Sequence, residues 1–416
     1  MGFNALAPLT ATRIRNLAPV RNKGARRQFV RGFADVTGPR TTHETLALPA
    51  EFEWVRFWYA NDTATPITLT KAAWSPSADK ASAVPRDSAG AALGFQAVTF
   101  NAGGADSLPG STSGSTATIT IPVGTSANPN PVCSDWMQGA SLPRRDGGTL
   151  PLLMHRAHYA GAYRCLVSGT NIDLNAFEAQ SQGLTWTILD GGGDQTTSAT
   201  PSFGTTPRGI LYGVEFLTAK PVLTVMGIGD SLMGGQGSTS GFTAYGMLAC
   251  AAVSTPARPV SFVNSGWSGQ TTLQFFERGR AEIARFQPPV AVIAPWSPND
   301  AYTSAPAVAA GVGRGIALAQ AVRAYGGVPV FVTPMPTARI ADAAAESYRT
   351  SVAARMRALA GEGWLVADLD RVLTDGAGLG RLRAGFDSGD GTHLNDAGYA
   401  ACGTELARAL RQAVAL

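Results

Sequence analysis

Near Lys220 the chain changes its period. From about residue 32 to that point, short runs rich in β-branched and aromatic residues are cut by Gly, Ser, Pro and Asn clusters. The runs include Glu53–Tyr59, Ala97–Phe100, Ala117–Ile121 and Leu184–Ile188, with Gly103-Gly104 and Pro109–Ser115 among the breaks, which is the spacing of an antiparallel β-sandwich. No internal repeat is evident. After Lys220, apolar runs at Val222–Ile228, Val260–Val263, Val290–Ala294, Val328–Thr333 and Trp364–Leu369 alternate with segments that predict helices at about 242–254, 272–286, 306–325, 341–361 and 395–414. Strands buried on both faces and joined by helices make a parallel sheet, so these units predict one doubly wound α/β domain whose ligands lie past the carboxyl ends of the strands. The expected division is a basic arm at 1–31, a jelly-roll-like all-β sandwich at 32–218 and the α/β domain at 219–416.

Charge narrows the partners. The formal net charge of +4 comes from the arm, where Arg13, Arg15, Arg21, Lys23, Arg26, Arg27 and Arg31 stand with no acid; the rest has 26 basic against 29 acidic groups. A slightly acidic body is not expected to bind nucleic acid, and the arm reads most simply as a solvated extension. No stretch approaches the ~18 uninterrupted apolar residues of a membrane span. The arm also lacks the apolar core, about 7–15 residues long, of a secretory signal. An extracellular or periplasmic site is nevertheless the expectation. The cysteines Cys133, Cys165, Cys250 and Cys402 form no C-x-x-C pair, so structural zinc is not expected. Cys133 with Cys165 and Cys250 with Cys402 are candidate disulfides, and buried free thiols are the plainer alternative.

Chemistry concentrates where the predicted strands end. The first apolar run after Lys220 leads into Gly229-Asp230-Ser231-Leu232, then Gly234, Gly235 and Gly237. A serine at a strand-to-helix turn is placed to act as a nucleophile. The alternative for a Gly-rich turn, a phosphate cradle, lacks G-x-x-x-x-G-K-[ST], and Lys23, Lys71, Lys80 and Lys220 all precede the turn, which also excludes a Ser-Lys mechanism. G-x-S-x-G does not occur. Past residue 158 the one histidine is His393, in Asp390-Gly391-Thr392-His393 after the fifth run. Asp390 can turn back to accept from Nδ1 and leave Nε2 facing Ser231. Two further loops offer oxyanion donors: Gly266 in Asn264-Ser265-Gly266-Trp267-Ser268-Gly269, and Asn299 in Trp296-Ser297-Pro298-Asn299-Asp300.

With these four blocks in order, the sequence resembles the SGNH or GDSL hydrolases. The resemblance implies a flavodoxin-like fold, Ser231 as nucleophile and oxyanion donor, Gly266 and Asn299 as the other donors, Asp390 with His393 completing the triad, and no metal or organic cofactor. Two positions depart from the family pattern: Ser297, where Gly-x-Asn-Asp is usual, and Leu394, where Pro often follows the histidine. The stretch from Val55-Arg56-Phe57-Trp58-Tyr59-Ala60-Asn61 through Cys133-Ser134-Asp135 is similar to the sandwich preceding the catalytic domain in some bacterial members. That arrangement resembles enzymes that remove acetyl groups from polysaccharides. The expected activity is therefore ester hydrolysis through an acyl-enzyme, with O-deacetylation of a carbohydrate ahead of a lipase or aryl-esterase role; a noncatalytic carbohydrate-binding or virion-type structural protein is the alternative of another class.

Trp267 and Trp296, beside the proposed donors, read either as a flat platform for substrate or as core. The segment Trp54–Tyr59 and the loop around Trp136 likewise offer surfaces suited to sugars. His155 and His158 have no carboxylate cluster beside them in sequence and read as a packed pair rather than metal ligands. Oligomeric state is not legible.

Overall fold

The structure is a computed structural model that describes residues 34–36, 38–61, 64–101, 115–125, 128–161, 163–165, 185–204, 211–218, 222–238, 244–300, 304–337, 340, 342–376, 379 and 382–415. The basic arm lies outside them.

The first half is built from antiparallel strands. β1 (Arg40–Ala47), β2 (Trp54–Tyr59), β3 (Ile67–Ser77), β4 (Leu152–Tyr159), β5 (Thr185–Gly192) and β6 (Leu211–Leu217) are the principal ones. One sheet runs β5-β1-β4-β3 and adds the short strands Gln96–Ala97 and Ile119–Ile121 on β3. The second pairs β6 with β2 and adds Val132–Cys133 and Met137–Gln138 on the other side of β2. The sheets share one core, in which Val55, Phe57 and Tyr59 of β2 meet Leu69 and Trp74 of β3 and Leu153 and Ala157 of β4. The run expected at Ala97–Phe100 forms a strand only at Gln96–Ala97, and Phe100 sits in an isolated bridge to Thr116.

Strands β1 and β4 have no apolar alternation because polar side chains point inward, several of them paired there. Glu44 Oε2 lies 2.7 Å from His155 Nδ1, and His155 Nε2 lies 2.7 Å from the Tyr59 hydroxyl, so a polar chain crosses between the sheets. Burial of an unpaired polar group is costly, and this chain avoids it for the imidazole. His155 thus has the carboxylate neighbour that the sequence did not place beside it, supplied by the adjoining strand. His158 pairs instead with Thr41 Oγ1 at 3.2 Å.

The second half holds a five-stranded sheet, all parallel, in the order β8-β7-β9-β10-β11, with β7 at Leu223–Gly229, β8 at Val260–Gly266, β9 at Val290–Ile293, β10 at Val328–Val332 and β11 at Leu365–Ala367. Its helices are α1 (Ser231–Gly234), α2 (Tyr245–Val253), α3 (Thr272–Phe286), α4 (Ala305–Ala324), α5 (Ala343–Gly361), α6 (Leu369–Leu373) and α7 (Asp396–Ala415). Alternate strand residues feed two cores. Val225, Val292 and Val330 face α2 and α7, while Ile228, Ile293 and Phe331 face α3, α4 and α5. Helix starts follow local chemistry: a Thr271/Gln274 capping box opens α3, Ser304 caps α4 and Asp342 caps α5. By length and hydropathy α4 could cross a membrane, yet Val308, Leu318 and Val322 are buried in the core and Arg314 donates to Thr272 Oγ1. Cys133, Cys250 and Cys402 are buried free thiols, so neither candidate disulfide forms; the Cys165 side chain lies outside the described residues.

The smaller sheet of the sandwich is buried on its second face as well. Trp58, Ala60, Cys133 and Tyr212 join the core on the α3 side, and the Trp58 ring meets Phe286 edge-on at 5.2 Å between centroids. This corrects the reading of Trp54–Tyr59 and Trp136 as sugar-binding surface: Trp58 and Trp136 are 4% and 6% exposed and flank the buried Arg56 guanidinium. Arg56 Nη2 and Nε both lie 2.7 Å from Glu215 Oε2, to which Trp58 Nε1 donates at 3.0 Å. Removing one partner of such a pair leaves a buried charge unmatched. Glu215→Ala is expected to destabilise the protein by about 3–5 kcal/mol in chemical denaturation, and a loss below about 1 kcal/mol would show that the pair is not what holds this face together.

Candidate active site

The site is assembled where β7, β8 and β9 end. β7 stops at Gly229, and Asp230 caps α1 by accepting from Leu232 N–H at 2.9 Å. Ser231 begins that helix and is 4% exposed. Gly237, with φ of 93°, carries the turn past the histidine segment; a Cβ there would stand 2.8 Å from His393 Cβ and 2.7 Å from Leu394 O. Only glycine lets the two segments come this close.

His393 is held by a loop folded on its own carboxylates. Asp387 Oδ1 accepts from Gly389 and Gly391 N–H, and Asp390 Oδ1 accepts from Thr392 N–H at 2.9 Å and His393 N–H at 2.8 Å. Asn395 Oδ1 then accepts from Gly398 N–H in the first turn of α7. Asp390 Oδ2 lies 2.5 Å from His393 Nδ1, and His393 Nε2 lies 2.9 Å from Ser231 Oγ. Burial alone would raise the Asp390 pKa, but the bonds from the His393 N–H, its ring and the Thr392 N–H hold the carboxyl well below the usual range. A carboxylate at Oδ2 requires the proton on Nδ1, which leaves Nε2 as acceptor for the Ser231 hydroxyl.

Two of the residues named from sequence as oxyanion donors, Gly266 and Asn299, are engaged with the chain itself. Gly266 N–H donates to Asn264 Oδ1 at 3.0 Å, and Asn299 Nδ2 donates to Gln270 O at 3.1 Å and Ser297 Oγ at 3.2 Å. Position 266 needs glycine for packing, since a Cβ would lie 2.5 Å from Gly234 N of α1. Three residues on, Gly269 has φ of 76° and nothing within 4 Å of a Cβ position, so the open glycine of this turn is one the sequence reading passed over. The signal was local: it lies in the same Gly266-Trp267-Ser268-Gly269 run.

Ser297, the departure from the family pattern, turns out to join the loops. It is fully buried; its hydroxyl lies 2.6 Å from Asp230 Oδ2 and 2.9 Å from Gln270 O, and it accepts from Asn299 N–H at 3.1 Å. Burial raises the Asp230 pKa, against the opposing bonds from Ser297 and the Leu232 N–H. Trp267 and Trp296 are corrected from platform to interior: they are 1% and 6% exposed, and Trp267 carries the Arg278 guanidinium 5.2 Å from its ring centroid. Trp296 lines a small crevice with Asp230, Leu232, Met233 and Met335.

Residues 228–401 match the profile of the GDSL-like Lipase/Acylhydrolase family. No curated protein matches the chain. Among similar solved structures are a GDSL-like lipase from Bacteroides thetaiotaomicron (21% identity, 46% of this chain and 88% of that one, TM-score 0.37), the lipase/acylhydrolase from Enterococcus faecalis (19%, 46% and 96%, TM-score 0.37) and a family 3 carbohydrate esterase from Clostridium thermocellum (18%, 45% and 98%, TM-score 0.34).

A proton shared between Asp390 and His393 at this separation is strongly deshielded. The proton NMR spectrum is expected to show a far-downfield exchangeable resonance that both Asp390→Ala and His393→Ala remove; its survival in Asp390→Ala would break the link between the two groups.

Proposed function

We propose, from the premise that the α/β half of this chain is a GDSL-like lipase/acylhydrolase domain and hydrolyses carboxylic esters, that Ser231, His393 and Asp390 carry the reaction and that the substrate is an O-acetylated carbohydrate. The observation behind the residue assignment is the unbroken chain from Asp390 Oδ2 through the imidazole to Ser231 Oγ.

In this reading Ser231 Oγ attacks the ester carbonyl as His393 Nε2 takes its proton. The tetrahedral intermediate collapses to an acyl-Ser231 ester while His393 gives that proton to the leaving alcohol. Water, deprotonated by the same nitrogen, then attacks the acyl-enzyme and releases the acid. Asp390 stays ionised throughout and stabilises the imidazolium. The oxyanion is met by the Ser231 N–H, by a backbone N–H of the Gly266–Gly269 turn and by the Asn299 amide, which exchanges Gln270 O for the substrate oxygen. Catalytic hydrogen bonds of this kind commonly tighten only when substrate is bound. No step uses a metal or organic cofactor.

The choice of a carbohydrate alcohol is supported by the resemblance of the two-domain arrangement to polysaccharide deacetylases. The choice of a short acyl group follows from the same resemblance, to enzymes that remove acetyl groups. The test is a panel of p-nitrophenyl esters from acetate to laurate beside acetylated xylan. Turnover of the acetate and release of acetate from xylan, both lost in Ser231→Ala, are expected; preference for laurate with no action on xylan would move the reading to a lipase. On the preferred ester, Asn299→Ala is expected to lower kcat by ~10²–10³ with KM little changed. A loss under about fivefold would mean that Asn299 stays on Gln270 and Ser297 throughout turnover.

A further inference from the structure

The sandwich reaches toward the catalytic turns through buried polar groups. The Tyr212 hydroxyl, on β6, donates to Glu282 Oε1 of α3 at 2.5 Å. Glu282 Oε2 accepts from Ser265 Oγ, which accepts from Arg278 Nε at 3.0 Å. Arg278 Nη2 in turn donates to Gly229 O at 3.1 Å and Ser265 O at 2.5 Å. These two carbonyls belong to the peptides that enter Asp230-Ser231 and Gly266. Tyr212 and Arg278 are fully buried and Glu282 is 3% exposed, so the bonds act without competing water.

We propose that Tyr212, Glu282 and Arg278 are positioning residues for the catalytic site. Tyr212 fixes Glu282, Glu282 and Ser265 orient the guanidinium, and the guanidinium holds the ends of β7 and β8 in one register, so that the nucleophile turn and the oxyanion turn face the same point. The catalytic domain is then complete only with the sandwich docked on α3. The physical reason is the tolerance of the chemistry: reacting groups displaced by about 1 Å lose on the order of 100-fold in rate, and the ladder between the two strands ends at Gly229 and Gly266 with one last backbone bond, from Trp267 N–H to Gly229 O at 3.2 Å, which the guanidinium reinforces from the side. This inference rests on the esterase reading for its kinetic readout but not for its structural one.

The experiment compares Tyr212→Phe, Ser265→Ala and, as an interface control outside the relay, Trp58→Phe, all in the full chain. Tyr212→Phe and Ser265→Ala are expected to lower kcat on p-nitrophenyl acetate about tenfold with KM within about twofold, and to move the ¹⁵N–¹H resonance of Gly266. Trp58→Phe is expected to lower the melting temperature while leaving kcat and the Gly266 resonance in place. If Tyr212→Phe does not fold, Ser265→Ala carries the same test from within the catalytic half. Wild-type kcat in a folded relay variant, or a kcat loss in Trp58→Phe that tracks its stability loss, would overturn the proposal. If the wild type turned over no ester, the esterase reading would fail, and an unmoved Gly266 resonance would separately overturn the relay.

Discussion

The guanidinium of Arg278 is the group on which the arrangement of the second half most depends. It lies in the interior against the Trp267 ring and bonds the carbonyls at the ends of two adjacent strands. Burial pushes its pKa down to about 10, opposed chiefly by Glu282, so it remains charged at neutral pH. Burial pushes Glu282 the other way, opposed by Arg278 and by the bonds from Ser265 and Tyr212. A pair of this kind adds little net stability compared with an apolar substitute, but it is directional and tolerates one geometry. Geometry is what the proposed nucleophile and oxyanion turns, on separate strands, require.

The same constraint explains the first half. Among the described residues the smaller sheet is narrow, with short strands outside β2 and β6, too little surface to stand as a free face. It is sealed on one side by the larger sheet and on the other by α3, which places Arg56, Trp58 and Tyr212 against the catalytic half. Each face of β2 therefore has its own apolar set. The aromatic density of Trp54–Tyr59 reflects two interiors meeting in one strand.

Much of this was legible before any coordinates. The runs from Val222 to Leu369 predict the parallel sheet because strands covered on both faces carry continuous apolar residues, and helix limits such as 272–286 follow from the cap at Thr271 and Pro288 beyond. Ser231, Asp390 and His393 stand out because a lone histidine with a nearby carboxylate is rare in so long a stretch. The rest was hidden for identifiable reasons. β1 and β4 carry Thr, His, Glu and Arg on buried positions, several of them bonded to partners far away in sequence, so no period is visible. Trp267 and Trp296 sit beside the site in sequence, yet their side chains are buried. Hydrogen-bond partners such as Asn264 for Gly266 and Gln270 for Asn299 depend on loop conformation, which residue type does not specify.

The proposed reactivity of Ser231 toward esters, conferred by His393, is open to chemical capture: the intact protein is treated with a fluorophosphonate and the adduct located by peptide mass spectrometry. A single modified site is expected at Ser231, absent in Ser231→Ala and formed at least ~10²-fold more slowly in His393→Ala, the scale of one general base. An adduct elsewhere, or labelling of Ser231 at an unchanged rate in His393→Ala, would contradict that reactivity.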